Sequence, residues 1–112
     1  MPELRLNAYH IMWLFVFFDL PTETKQNRRD AGKFRKELEK DGFTMMQFSV
    51  YVRHCPSKEN ADVHVNRVRI LMPPEGQVSI LCITDKQYGE ILNFNGKIMK
   101  SLPTAPRQLE LF

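Results

Sequence analysis

The chain has 112 residues, enough for one domain around a single hydrophobic core and too few for two. Its formal charge is +3, and Thr24 to Asp41 alone carries seven Lys/Arg against four Asp/Glu, a local excess that suits a polyanion such as nucleic acid, with a solvated helix face as the ordinary alternative. Two cysteines, Cys55 and Cys82, with no secretory signal ahead of them, argue against a disulfide scaffold and predict free or buried thiols in a reducing, cytoplasmic setting.

Met1 to His10 is a mixed lead-in. Ile11 to Leu20 then places aromatic and branched side chains on consecutive positions, which predicts a central strand buried on both faces. The apolar run from Ile11 to Phe18 is too short to span a bilayer, which takes about 20 residues, so no membrane role is expected. Pro21 to Thr24 has the composition of a turn and helix start, with Pro near the entry and a Thr available as cap. Asn27, Ala31, Phe34 and Leu38 recur at helical spacing and predict a buried stripe, leaving Arg28, Arg29, Lys33, Arg35, Lys36 and Lys40 on the flanks and outer face; Gly42 ends the helix.

From Phe43 to Arg53 the sequence alternates. The expectation is Met46, Phe48, Val50 and Val52 on a core face, and Gln47, Ser49, Tyr51 and Arg53 on a polar, available face. One bent strand and two short ones fit equally, since no Gly, Asn or Pro marks a turn. Ser57 caps a second helix with a predicted stripe of Ala61, Val65, Val68 and Met72, stopped by Pro73-Pro74. Gly76 to Thr84 alternates as a strand, Ile91 to Phe94 reads as a short strand before an Asn95-Gly96 turn, and Gln108 to Phe112 reads as a strand added to a sheet edge.

This order predicts an α+β two-layer sandwich of ferredoxin-like type, βαββαβ plus a C-terminal strand, with the domain over residues 1–94 and a tail over 95–112. Both helices cover one sheet face, so the apolar face carrying Trp13, Phe15 and Phe17 needs another cover. A homodimer packed sheet against sheet supplies it.

Asp19 stands at the carboxyl end of the first strand, where ligands gather in many sheets, though a carboxylate at a turn is also an ordinary cap. One carboxylate does not make a Mg²⁺ site, whereas two Asp19 side chains across a dimer axis could share a hydrated ion and orient water toward a phosphodiester. His10 and Glu23 are candidate helpers. His54, Cys55 and His64 are zinc-ligand types at a spacing that matches no common zinc pattern.

The ordered set Phe17-Phe18-Asp19-Leu20-Pro21-Thr22-Glu23-Thr24, Arg28-Arg29, Lys33-Phe34-Arg35-Lys36, Gly42-Phe43 and Gln47-Phe48-Ser49-Val50-Tyr51, with the later Thr84-Asp85-Lys86-Gln87-Tyr88, resembles the small CRISPR-associated adaptation proteins, the family called "Cas two", in the version found with type II systems. The resemblance covers roughly Trp13 to Ile91. It implies a homodimer that bridges two dimers of the CRISPR integrase and lies along double-stranded prespacer DNA during spacer acquisition. It also implies a Mg²⁺-dependent endonuclease whose strand-end aspartate matches Asp19. The family's basic residues match Arg28 and Arg29, and its polar strand matches Gln47, Ser49 and Tyr51. Lys33, Arg35 and Lys36 on the same helix and Arg53 on the strand complete the expected nucleic-acid contacts, which suit backbone binding without sequence reading. The alternative is a stand-alone metal-dependent endoribonuclease, related to toxin-like RNases of the same fold and acting on RNA.

Overall fold

A computed structural model describes residues 10–96. The elements are β1 (Met12–Asp19), α1 (Lys25–Lys40), β2 (Thr44–Gln47), β3 (Val50–Cys55), α2 (Lys58–Leu71), β4 (Gln77–Thr84) and α3 (Asp85–Gly89). The strands form one antiparallel sheet in the order β2-β3-β1-β4. This is the expected α+β, ferredoxin-like βαββαβ arrangement with β1 at its centre. The expected strand at Gln108 to Phe112 lies outside the described residues.

Strand register decides which side chains meet. β1 pairs Leu14 with Arg53 and Val16 with Tyr51 on one side, and Leu14 with Cys82, Val16 with Ile80 and Phe18 with Val78 on the other. Directly opposed residues share a sheet face. That face meets the helices, and Leu14, Val16, Phe18, Tyr51 and Cys55 pack with Phe34 and Leu38 of α1, Phe43, and Ala61 and Val68 of α2. Burying each large apolar side chain is worth roughly 1.5–3 kcal/mol, which makes this cluster the main source of stability.

The two predicted helices, α1 and α2, start on capping hydroxyls as expected, α1 on Thr24. The Thr24 hydroxyl accepts from the Asn27 N–H at 2.9 Å while the Asn27 side chain returns a bond to the Thr24 N–H, forming a capping box. The Ser57 hydroxyl accepts from the Asn60 N–H at 3.0 Å. α1 ends in a Schellman turn in which Gly42 adopts φ +94°, its N–H donates to Glu39 O, and the Phe43 N–H donates to Leu38 O.

The α1 end is also a junction of three elements. The Arg53 Nε–H of β3 donates to the Asp41 carbonyl at 2.7 Å. From α2, His64 Nδ1–H and Arg67 Nη1–H donate to the two Asp41 carboxylate oxygens at 2.7 and 2.8 Å. His64 is 3 % exposed and takes a core position between Ala61 and Val68, where the sequence predicted Val65 alone. Burial by itself would raise the Asp41 carboxyl, but the hydrogen bonds from His64 and Arg67 outweigh it and hold the group below its ordinary range.

Three expectations change, and one open alternative is settled. The Phe43 to Arg53 stretch is two strands joined through a turn at Phe48-Ser49, with a register shift between Met45 and Gln47. Beyond that turn the faces are the reverse of the expected ones. Tyr51, 1 % exposed, lies in the helix-facing core, Val50 and Val52 lie on the opposite face, and Phe48 is 72 % exposed. Strict alternation was carried through a turn and a bulge, and each resets it. No strand forms at Ile91 to Phe94; instead Thr84 and Gln87 make a second capping box that starts α3. Met72 caps α2 rather than packing in its stripe, and the preceding Leu71 packs against the core instead.

The sheet face away from α1 and α2 is divided in two. At one end α3 folds over it: Tyr88 stacks on Trp13 with ring centroids 3.8 Å apart and planes 5° apart, and Trp13 Nε1–H donates to Asp85 at 2.7 Å. Toward the other end Phe17 and Leu81 stay open, at 38 % and 49 % exposure.

The Asp41 junction yields a stability prediction. A carboxyl whose folded pKa lies below its unfolded value, near 3.8, contributes stability that is complete above that value and is lost as pH falls through the folded one. Asp41→Asn should therefore cost about 1–3 kcal/mol at pH 7 and flatten the acid limb of the stability curve. Urea titrations of parent and variant at pH 7 and pH 3 test this, and equal midpoints at both values would contradict it.

Candidate functional site

Asp19 closes β1 opposite Gln77. It shares the parity of Phe15 and Phe17, so its side chain projects from the sheet face that the helices leave open. The carboxylate is exposed and has no hydrogen-bond or ion-pair partner among the described residues, so it is not the cap of the turn that follows. Gly76 presses against the backbone beside it: at φ +110°, an added Cβ would come within 2.6 Å of Leu20 Cδ2 and 3.0 Å of Asp19 O. The start of β4 thereby holds the end of β1 in place.

The site residues expected near Asp19 are only partly brought together. His10 precedes β1 and so stands beyond the far end of a strand that spans roughly 24 Å at 3.4 Å per residue. Glu23 is exposed in the loop before α1. Among the described residues no three Asp, Glu, His or Cys side chains are placed to hold a metal ion. The described residues of a single chain thus offer one carboxylate there, which fits Mg²⁺ as half of a pair completed by waters and phosphate but not as a site by itself. The zinc-ligand types also diverge, with His64 bound to Asp41, Cys55 buried in the core, and His54 edge-on to Trp13 on the opposite face.

The basic residues sort into two groups. Of the expected contacts, three arginines are used by the fold, as Arg67 is. Arg28 Nη1–H donates to the carbonyls of Thr22 and Glu23 at 2.9 and 3.3 Å, stiffening the loop that follows Asp19. The Arg35 guanidinium lies 3.7 Å from the Phe48 ring centroid and 4.9 Å from that of Phe18, and donates to the Phe48 carbonyl. Arg53 donates to the Asp41 and His54 carbonyls at 2.7 and 2.6 Å. A guanidinium fork suits this task because it offers several donors in fixed directions.

Lys25, Arg29, Lys33, Lys36 and Lys40 form the other group. They follow one another at four, four, three and four, which at 3.6 residues per turn confines them to an arc of about 80° and a length of about 22 Å. All five are exposed, diametrically opposite buried Ala31, Phe34 and Leu38. Lys40 leans on Glu37 at 3.5 Å and Arg29 on the Gln26 amide oxygen at 3.4 Å, while Lys25, Lys33 and Lys36 have no partner among the described residues. Lys25 is the member that sequence reasoning missed, and the spacing alone was enough to find it. Gln47 is exposed at the end of β2, Ser49 is half-buried in the turn, and Tyr51, expected on a polar strand face, is buried in the core with its hydroxyl 3.5 Å from Glu39.

The stripe begins just beyond the Asp19 loop and runs back along the outside of the helical layer, so Asp19 and the stripe face opposite sides of the sheet. A polyanion held on the stripe and chemistry at Asp19 are therefore separable tasks. No helix among the described residues is long and apolar enough to cross a membrane.

Residues 12–91 match the family model described as CRISPR associated protein Cas2. Among similar proteins, the CRISPR-associated endoribonuclease Cas2 of Flavobacterium psychrophilum is 50 % identical over 108 residues, covering 96 % of this chain and 94 % of the relative. Its namesake in Parvibaculum lavamentivorans is 50 % identical over 101 residues, covering 90 % of this chain and all of the relative (100 %). A third, from Treponema denticola, is 44 % identical over 80 residues, covering 71 % of this chain and 79 % of the relative. The matched span opens on the first residue of β1 and closes just past α3, taking in Asp19, the whole basic helix and the Phe48 turn, and on that match the chain belongs to the CRISPR associated protein Cas2 family.

Proposed function

We propose that the chain serves CRISPR adaptation as a homodimeric bridge that joins integrase dimers and holds the prespacer duplex while a spacer is acquired. The observation that carries this reading is the α1 stripe: five exposed cations in one line, three of them without a partner among the described residues, on a helix whose other face is locked into the core. Cations presented this way neutralise phosphates and release counterions whatever the base sequence, which is what an adaptor for arbitrary foreign DNA requires. The open half of the sheet face, with Phe17 and Leu81, supplies the dimer contact in this reading, and packing there brings the two Asp19 ends toward each other. A rigid pair then sets the distance between the integrase subunits it joins.

The second reading, a metal-dependent endonuclease, rests on the exposed, unpartnered Asp19 and on the endoribonuclease name that the relatives carry. Asp19 from each of two chains would hold the Mg²⁺, which when bound supplies a polarised water and charge neutralisation for phosphodiester hydrolysis. Arg28 keeps the following loop fixed, so the carboxylate is presented on a rigid strand end.

Two outcomes separate these roles. Anisotropy titration of a labelled blunt duplex should give an affinity that falls linearly with log salt, and the triple variant Arg29→Glu, Lys33→Glu, Lys36→Glu should lose binding at moderate salt, each lost contact removing about 0.9 from the slope. Unchanged affinity in that variant would remove the stripe from the account. Asp19→Ala should bind the duplex and support spacer acquisition at the parent level, while any RNA cleavage should vanish both in that variant and on chelation. Loss of acquisition with the dimer and integrase binding intact would place Asp19 chemistry inside the adaptation mechanism.

A further inference from the structure

The turn between β2 and β3 carries an exposed ring for which the fold has no use. Phe48 is 72 % exposed, in a turn tied to the residue just before Asp19 because the Phe18 N–H donates to the Ser49 carbonyl at 3.1 Å. Beneath the ring lies Arg35, 3.7 Å from its centroid, and beneath Arg35 lies Phe18 at 4.9 Å, itself edge-on to Phe34 in the core. Arg35 also donates to the Phe48 carbonyl, which fixes the turn to the helix. The result is a stack running outward from the core, aromatic, guanidinium, aromatic, whose last face is open: among the described residues no other ring pairs with Phe48.

We propose that Phe48, braced by Arg35, is a stacking platform for an unpaired nucleobase at the Asp19 end of the sheet. The inference rests on the reading that the chain binds nucleic acid, and adds to it a site for a base where the α1 stripe offers only sites for phosphates. An aromatic face takes any base, because every base has a π-face. The cation behind the ring favours an occupant that brings negative charge with it, as a nucleotide does and an apolar protein side chain does not. Phe48 carries no hydrogen-bonding group, so the platform is indifferent to base identity and selects for a base that is unstacked: a strand end, an overhang or a single strand, of DNA or RNA alike. Its position beside the end of β1 puts such a base at the same end of the sheet as the Asp19 carboxylate.

The test uses the full chain and three labelled probes: a single-stranded oligoadenylate, an abasic strand of equal length and charge, and a blunt duplex. The parent should prefer the base-bearing strand over the abasic one by about fivefold or more. Phe48→Ala should bind the two strands alike, Phe48→Leu, which keeps apolar bulk without a π-face, should do the same, and Phe48→Trp should restore the preference. All of these variants should bind the blunt duplex as the parent does. A parent that binds both strands equally, or a Phe48→Ala protein that keeps the preference, overturns the platform. Failure of the parent to bind the blunt duplex would instead remove the nucleic-acid reading on which the platform rests.

Discussion

Everything else in this structure follows from a central strand that is apolar on both faces. Leu14, Val16 and Phe18 point to one side of β1, and Trp13, Phe15 and Phe17 point to the other. Two helices satisfy the first set completely. The short α3 covers Trp13 and Phe15 by laying Tyr88 over them, and among the described residues the cover stops there, because α3 ends at Gly89. What remains is an open apolar half-face that ends on the one carboxylate of β1. In the homodimer we propose, the same feature that calls for a partner also decides which residue stands next to it.

The division of labour among the cations follows from side-chain chemistry. Arg28, Arg35, Arg53 and Arg67 each tie backbone carbonyls or the Asp41 carboxylate, and with these contacts they fix the loop after β1, the β2–β3 turn and the end of α1. The lysines of α1 stay outside, as solvated point charges on flexible stems. A helix pinned at its cap, along its buried stripe and at its Schellman turn presents those lysines at fixed intervals. Rigidity at the core and freedom at the tips suit a surface that meets phosphates without reading bases.

Much of this was legible in the sequence. β1, a Thr cap for α1 and the Ser57 cap for α2, the Ala31, Phe34 and Leu38 stripe, and the βαββαβ order follow from local chemistry and period. The β3 faces were not, because Tyr51 and Arg53 are amphipathic: each turns a long body into the helical layer and places its polar tip on an acceptor there, Tyr51 on Glu39 and Arg53 on the Asp41 carbonyl, so their polarity misleads about which way they point. Phe48 was read as core since apolar alternation does not announce a turn that lacks Gly, Asn or Pro. His64 was passed over because a buried histidine is justified only by its partner, and Asp41 lies 23 residues away in sequence. α3 escaped notice although Thr84 and Gln87 have capping-box spacing, since Ile91 to Phe94 offered a more conspicuous apolar run. For the basic residues, clustering of charge singled out α1, but only helical angle separates the five outward cations from the arginines the fold consumes.

The claim on which the account turns is that a second copy covers the open half of the sheet face, and the direct measurement is the solution mass of the full chain by sedimentation, compared between the parent and Leu81→Lys. The account predicts a parent at twice the chain mass and a variant at the chain mass that keeps its far-UV circular dichroism. A monomeric parent, or a Leu81→Lys protein that remains a dimer, would contradict it.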